Sequence, residues 1–156
     1  MIIALSIYLL SIACWLGGIV FFSFFTAPAI FTQLPIPEAG KVVGVIFPRY
    51  YLLGYIAGII AFALAAYFTA VKDSKLWWAS TAVALAIALA LTVYAGAIVR
   101  PRVDAIRIVA EEQNPDPDRK AEFDRLHHLS VFLNGAVLLL NLAAIVGTAG
   151  ALTPRG

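Results

Sequence analysis

Charge is what this sequence has least of. Only 13% of its 156 residues are Asp, Glu, Lys or Arg, while 62% are hydrophobic, and the mean hydropathy is +0.92. A soluble domain is usually about half apolar and about a quarter charged, so this composition excludes an ordinary soluble domain. The missing charges are also concentrated. None occurs from Met1 to Gln33, from Tyr50 to Val71, from Leu76 to Val99, or from Leu129 to Pro154. Each gap meets the roughly 20 apolar residues needed to cross a hydrocarbon core about 30 Å thick. Cysteine is nearly absent: the single Cys14 excludes an intrachain disulfide and a Cys-pair metal site. The net charge of +2 is small and dispersed, which excludes the basic footprint of a nucleic-acid binder. No basic segment precedes the first apolar run, and that run outlasts a signal-peptide core, so it reads as an anchor. No Walker-type loop, HExxH motif or nucleophile–base pair occurs, which leaves an enzyme as the least favoured class.

What is present fits a single membrane domain over residues 1–156, an all-α antiparallel four-helix bundle with spans at about 2–27, 48–71, 76–99 and 126–152. Pro28 is expected to end span 1. With Pro35, Pro37 and Pro48 it predicts a proline-rich loop 1, in which Pro37 opens a short helix through Phe47. Span 2 then starts near Pro48. "KDSK" reads as a tight turn, and Trp77 and Trp78 as interface anchors for span 3. Residues 100–125 hold thirteen of the twenty charges. They predict a partly helical loop 3: an extension through "RPRVDAIRIVAEEQ", a loop at "NPDPD", then a helix running into span 4. Gly54 and Gly58, Ala13 and Gly17, Cys14 and Gly18, and Ala143 and Gly147 are small pairs four apart. Such pairs allow close helix approach, within one chain or between copies, so a homo-oligomer is a candidate partner beside the lipid bilayer.

Loops 1 and 3 share one side of the membrane. They carry Lys41, Arg49, Arg100, Arg102, Arg107, Arg119, Lys120 and Arg125, against Lys72, Lys75 and Arg155 on the other side. The positive-inside rule places loops 1 and 3 in the cytoplasm, in the cytoplasmic (inner) membrane if the chain is prokaryotic.

Polar residues are rare enough in the spans to single out. On span 4, His127, Ser130, Asn134 and Asn141 fall within roughly 60° at 100° per residue, a narrow stripe descending about 21 Å. Unsatisfied polar groups cost several kcal/mol in lipid, so the stripe is expected to face the bundle interior. There it either bonds neighbouring helices or lines a ligand site. His127 also titrates near neutral pH and is the candidate metal ligand. At the loop-1 and loop-3 ends, Glu38, Arg49, Arg100, Arg102, Asp104 and His127 are expected close together. Arg49, at an expected helix start where its charge opposes the dipole, suggests an acidic partner such as Glu38, or an anionic ligand. Asp104 and Arg107 read as a surface pair, and Tyr51 and Tyr55 as candidate inward donors. The ligand-binding candidates are thus His127, Ser130, Asn134, Asn141, Arg49, Glu38 and Arg102.

The stretches "IFPRYY", "RPRVDAIRIVAEEQ" and "DPDRKAEFDRLHHLS", with the later Asn134, resemble the transmembrane protein 205-like family, a membrane domain of unknown function. The specific matches are Phe47-Pro48, Pro101-Arg102 and the H-x-x-S-x-x-x-N set of His127, Ser130 and Asn134. The resemblance implies a four-span bundle, distantly similar to copper-resistance D-type membrane proteins and to a haem-dependent membrane oxidase. It brings haem or a metal into consideration as a cofactor, although this chain has no histidine in its first three spans. Three readings stay open. One is binding or transport of a small solute or metal complex through a polar site on span 4; the others are a haem- or metal-dependent redox protein and a non-catalytic scaffold.

Overall fold

The structure is a computed structural model. It describes residues 1–110 and 117–153, with the side chains of 1–106 and 117–153. The expected loop around Asn114 and the pairing of Arg107 with Asp104 lie outside the described residues. Four long helices form an up-down-up-down bundle: α1 (Ile2–Gln33), α2 (Ile36–Val71), α3 (Lys75–Tyr94, continuing through Ala95–Val99 and Arg100–Ala110) and α4 (Pro117–Leu152). All four are long and apolar enough to cross a membrane. At 1.5 Å per residue, a 36-residue helix measures about 54 Å, so α2 and α4 overreach a hydrocarbon core of about 30 Å.

The helix ends differ from expectation at the prolines. Span 1 does not stop at Pro28, and loop 1 shrinks to Leu34 and Pro35. The reason lies just upstream of Pro28. Residues Phe22–Thr26 form a π-turn in which the Ala27 N–H donates to the Phe22 carbonyl. The widened turn leaves Pro28 in the first turn of the renewed α-helix, where its missing N–H is tolerated. The same device recurs in α3. There Ala95–Val99 form a π-turn, the Arg100 N–H donates to the Ala95 carbonyl, and Pro101 follows at the same offset. Pro37 sits in the first turn of its helix as expected, but that helix does not end at Phe47: it continues through Pro48 to Val71. The carbonyl four residues before Pro48 belongs to Gly44, and Arg49 Nη1 donates to the neighbouring Val45 carbonyl at 3.1 Å.

Consecutive helices pack side by side, and α4 closes the ring against α1 more sparsely. The α2 glycine pair is used within the chain. The Trp15 indole of α1 lies over Gly54 and Gly58, close enough that a Cβ on Gly58 would stand 2.9 Å from the ring. The α1 pairs do not serve this way: Ala13, Cys14 and Gly17 are exposed. At the Lys72–Ser74 turn, Tyr8, Phe68 and Trp78 form a buried aromatic cluster, with Phe68 and Trp78 centroids 4.6 Å apart. Trp78 is therefore a core residue, not an interface anchor. Trp77 stays 40% exposed, its ring resting on Gly150, the one of the pair placed to meet an interface. Ser74 ties the turn to α4 by donating to the Ala151 carbonyl at 2.9 Å.

The sparse α1–α4 seam is bridged by side-chain hydrogen bonds at two levels. Near one end, Tyr8 Oη and Thr148 Oγ1 are 2.6 Å apart. Thr148 spends its own proton on the Ala144 carbonyl, so Tyr8 is the donor. Toward the other end, Asn134 Nδ2 donates to Ser23 Oγ at 2.9 Å.

Candidate functional site at the α1, α2 and α4 junction

The second of these bridges belongs to a small polar network. Tyr50 Oη of α2 donates a short hydrogen bond to Asn134 Oδ1 of α4, and Asn134 Nδ2 donates to Ser23 of α1. Ser23 lies within the Phe22–Thr26 π-turn, and Tyr50 two residues after Pro48, so backbone irregularities flank both partners. π-turns are frequent at functional sites. By helix rise Asn134 sits about 7–8 Å inside Leu129, the first residue of the last charge-free run. The network therefore lies near the loop-1 and loop-3 end of the bundle, not at its centre.

A cavity of about 20 Å³ adjoins it, lined among others by Trp15, Gly54, Tyr50, Tyr51, Thr92 and Asn134. That is about the room one water needs. Below it, Tyr51 and Tyr55 stack with centroids 6.3 Å apart and cover Gly96 of the second π-turn. A Cβ on Gly96 would stand 2.7 Å from the Tyr51 ring, so only glycine admits the tyrosines here. These two tyrosines pack, and the inward hydrogen bond is made by their neighbour Tyr50. Beyond the π-turns, Ala27–Gln33 packs on α2 and Arg100–Ala110 packs on α4.

The predicted stripe on α4 is divided. The interior seam runs through Leu126, Leu133, Val137, Asn141, Ala144, Thr148 and Ala151. Asn141 is fully buried; its Nδ2 donates to the Val137 carbonyl at 2.9 Å, and its Oδ1 has no partner among the described residues. Ser130 is half-buried and donates to its own helix at the Leu126 carbonyl. His127 is exposed rather than interior. It lies within about 20° of Asn134 around the helix but about 10 Å nearer the loop-3 end, and its ring lies nearly parallel to that of Phe123 at 6.1 Å. Among the described residues, Asn134 is the one of the four stripe residues that bonds side chains of other helices.

The charged candidates do not gather into one cluster. Glu38, Arg49 and Arg102 are exposed. Glu38 and Arg49 do not pair: they are eleven residues apart on one helix, and Arg49 turns back to the Val45 carbonyl. Arg100 is the inward one of the group. Its Nε lies 3.3 Å from Asp104 Oδ2, outside hydrogen-bond geometry. Among the described residues no three His, Cys, Asp or Glu side chains are grouped to hold a metal.

A family model described as a domain of unknown function (DUF4149) matches residues 10–112, well over half of the chain. The chain belongs to the DUF4149 family. An "uncharacterized protein" of Aquifex aeolicus (strain VF5) is 31% identical over 142 residues, covering 91% of this chain and 92% of that protein. No solved structure matches. The DUF4149 segment takes in both π-turns, Ser23, Tyr50 and Gly96, whereas Asn134 lies on the helix beyond it.

Two network residues, Ser23 and Tyr50, escape the sequence reading. The available signal was faint. Ser23 interrupts "FFSFF", the apolar centre of a run, and Tyr50 is one of two adjacent tyrosines after Pro48.

Proposed function

We propose that this DUF4149 protein is a multi-pass membrane protein that binds, and passes across the bilayer, a small solute at the Ser23–Tyr50–Asn134 junction. The supporting observation is the convergence of hydrogen-bonding side chains from α1, α2 and α4 beside a cavity, at the seam where the ring of helices closes most sparsely. The resemblance to transmembrane protein 205-like proteins supports the same reading. Phe47-Pro48 lies just before Tyr50 in the chain, and Asn134 lies within the site.

In this reading the solute enters from the loop-1 and loop-3 side. The exposed Glu38, Arg49, Arg102 and His127 belong to the approach, and Asn141 to the packed core. The excess of basic residues on that side makes it cytoplasmic.

Thermal unfolding of the purified protein in nanodiscs, screened against a panel of small solutes, tests the binding role. At least one solute is expected to raise the transition, and Asn134→Ala to abolish that shift while His127→Ala leaves it. Shifts that Asn134→Ala does not alter would remove the site from consideration.

A further inference from the structure

We infer that the solute is uncharged: the junction takes a small neutral molecule that both donates and accepts hydrogen bonds, and it turns ions away. This rests on the proposed binding role and adds the chemical class of the ligand. The first support is the lining. The polar groups around the cavity are hydroxyls and an amide, from Tyr50, Tyr51, Thr92 and Asn134, with the Trp15 indole; no Asp, Glu, Lys, Arg or His takes part. An ion stripped of water in such a layer needs a counter-charge. Arg100 and Asp104, which pair with each other, contribute nothing to the lining, and neither does the exposed Arg49 beside Tyr50.

Aromatic faces could in principle stand in for an anion. Here they are engaged. Tyr50 packs against Phe22 at 5.2 Å and against Tyr51 at 5.4 Å, and Tyr51 stacks on Tyr55.

The hydrogen-bonding capacity left over has a definite character. Asn134 spends one N–H on Ser23 and one acceptor position on Tyr50, keeping a second N–H and a second lone pair. Ser23 accepts from Asn134, and its own proton has no acceptor among the described residues. Donor and acceptor positions therefore stand side by side, as a neutral amide, urea or alcohol requires. The volume of about 20 Å³ holds about one water, so a solute of a few heavy atoms enters only as the lining side chains give way.

The test uses three planar probes of one shape and different charge: urea, guanidinium and nitrate. The protein is reconstituted in phosphatidylethanolamine–phosphatidylglycerol vesicles, and uptake is followed against protein-free vesicles. Urea uptake is expected above background, and Ser23→Ala, which removes one hydrogen bond without disturbing packing, is expected to cut the excess about ten-fold. Guanidinium and nitrate are expected at background. Uptake of either ion that Ser23→Ala or Asn134→Ala reduces overturns the charge argument and leaves the binding role standing. The absence of any variant-sensitive uptake of all three overturns the inference as well. In that case Asn134-dependent thermal shifts with the wider solute panel decide whether the binding role survives.

Discussion

Replacing Gly58 with alanine tests the packing on which the bundle depends. A Cβ there would stand 2.9 Å from Trp15 Cη2, 3.0 Å from Trp15 Cζ3 and 3.0 Å from Leu89 Cδ1. Carbon atoms prefer about 3.5–4.0 Å, so the methyl overlaps neighbours on two sides by about half an ångström or more. Leu89 is half-buried and its methyl can turn aside. The Trp15 ring has less freedom, since it is buried and also lies over Gly54, where a Cβ would stand 3.3 Å from its Nε1. Overpacking of this kind costs about 1–3 kcal/mol. Alanine's advantage over glycine, at most about 1 kcal/mol in a water-exposed helix, offsets little, because inserted spans must keep their backbone hydrogen bonds internally even when separated. The net expectation is a destabilisation of about 1–2 kcal/mol. Gly17→Ala is the control: nothing lies within 4 Å of its Cβ, and the change should stay within about 0.5 kcal/mol. Reversible unfolding in mixed micelles measures both. In a Trp15→Phe background, where the wide ring is gone, the cost of Gly58→Ala should fall below about half its value. Equal tolerance of alanine at positions 17 and 58, or no relief from Trp15→Phe, would refute the seating of α1 on α2.

Further outcomes are expected from single sites. A double-mutant cycle of Tyr50→Phe and Asn134→Leu, read by the same unfolding assay, should give a coupling of about 0.6 kcal/mol and no more than about 1.7; zero coupling would deny the hydrogen bond. Trp78→Ala should destabilise by about 3 kcal/mol or more, because it empties the core beside Tyr8 and Phe68, and Trp77→Ala by clearly less; equal losses would contradict their different burial. Gly96→Ala should disturb the Tyr51 and Tyr55 rings and shift tyrosine near-ultraviolet circular dichroism; an unchanged spectrum would show that the π-turn has room to spare. His127→Ala should leave the unfolding midpoint within error, since the ring is exposed at the loop-3 end.

The four-helix architecture was legible because it follows from a rule with few exceptions. Lipid offers the backbone no hydrogen bonds, so each charge-free run of sufficient length must form a helix. The same physics identified Asn134 as a residue needing a partner. It did not name the partner, because Ser23 and Tyr50 are distant in sequence from it, by 111 and 84 positions, and only packing brings them together. His127 shows the limit of periodicity. Its angular position matches Asn134 within about 20°, yet it lies two turns nearer the loop-3 end, where the imidazole is exposed, and angle alone does not give depth along the helix.

The prolines illustrate the division best. Sequence alone determined that residues 28, 48 and 101 interrupt the regular backbone ladder, since a proline has no N–H to give. Whether the chain answers with a loop or with a π-turn depends on what the neighbouring helices reward. Here Phe22 packs on Phe47 and Tyr50, and Gly96 receives Tyr51, contacts that the continued helices make. Tertiary packing then brings Ser23, Tyr50 and Asn134 to one point in the bundle.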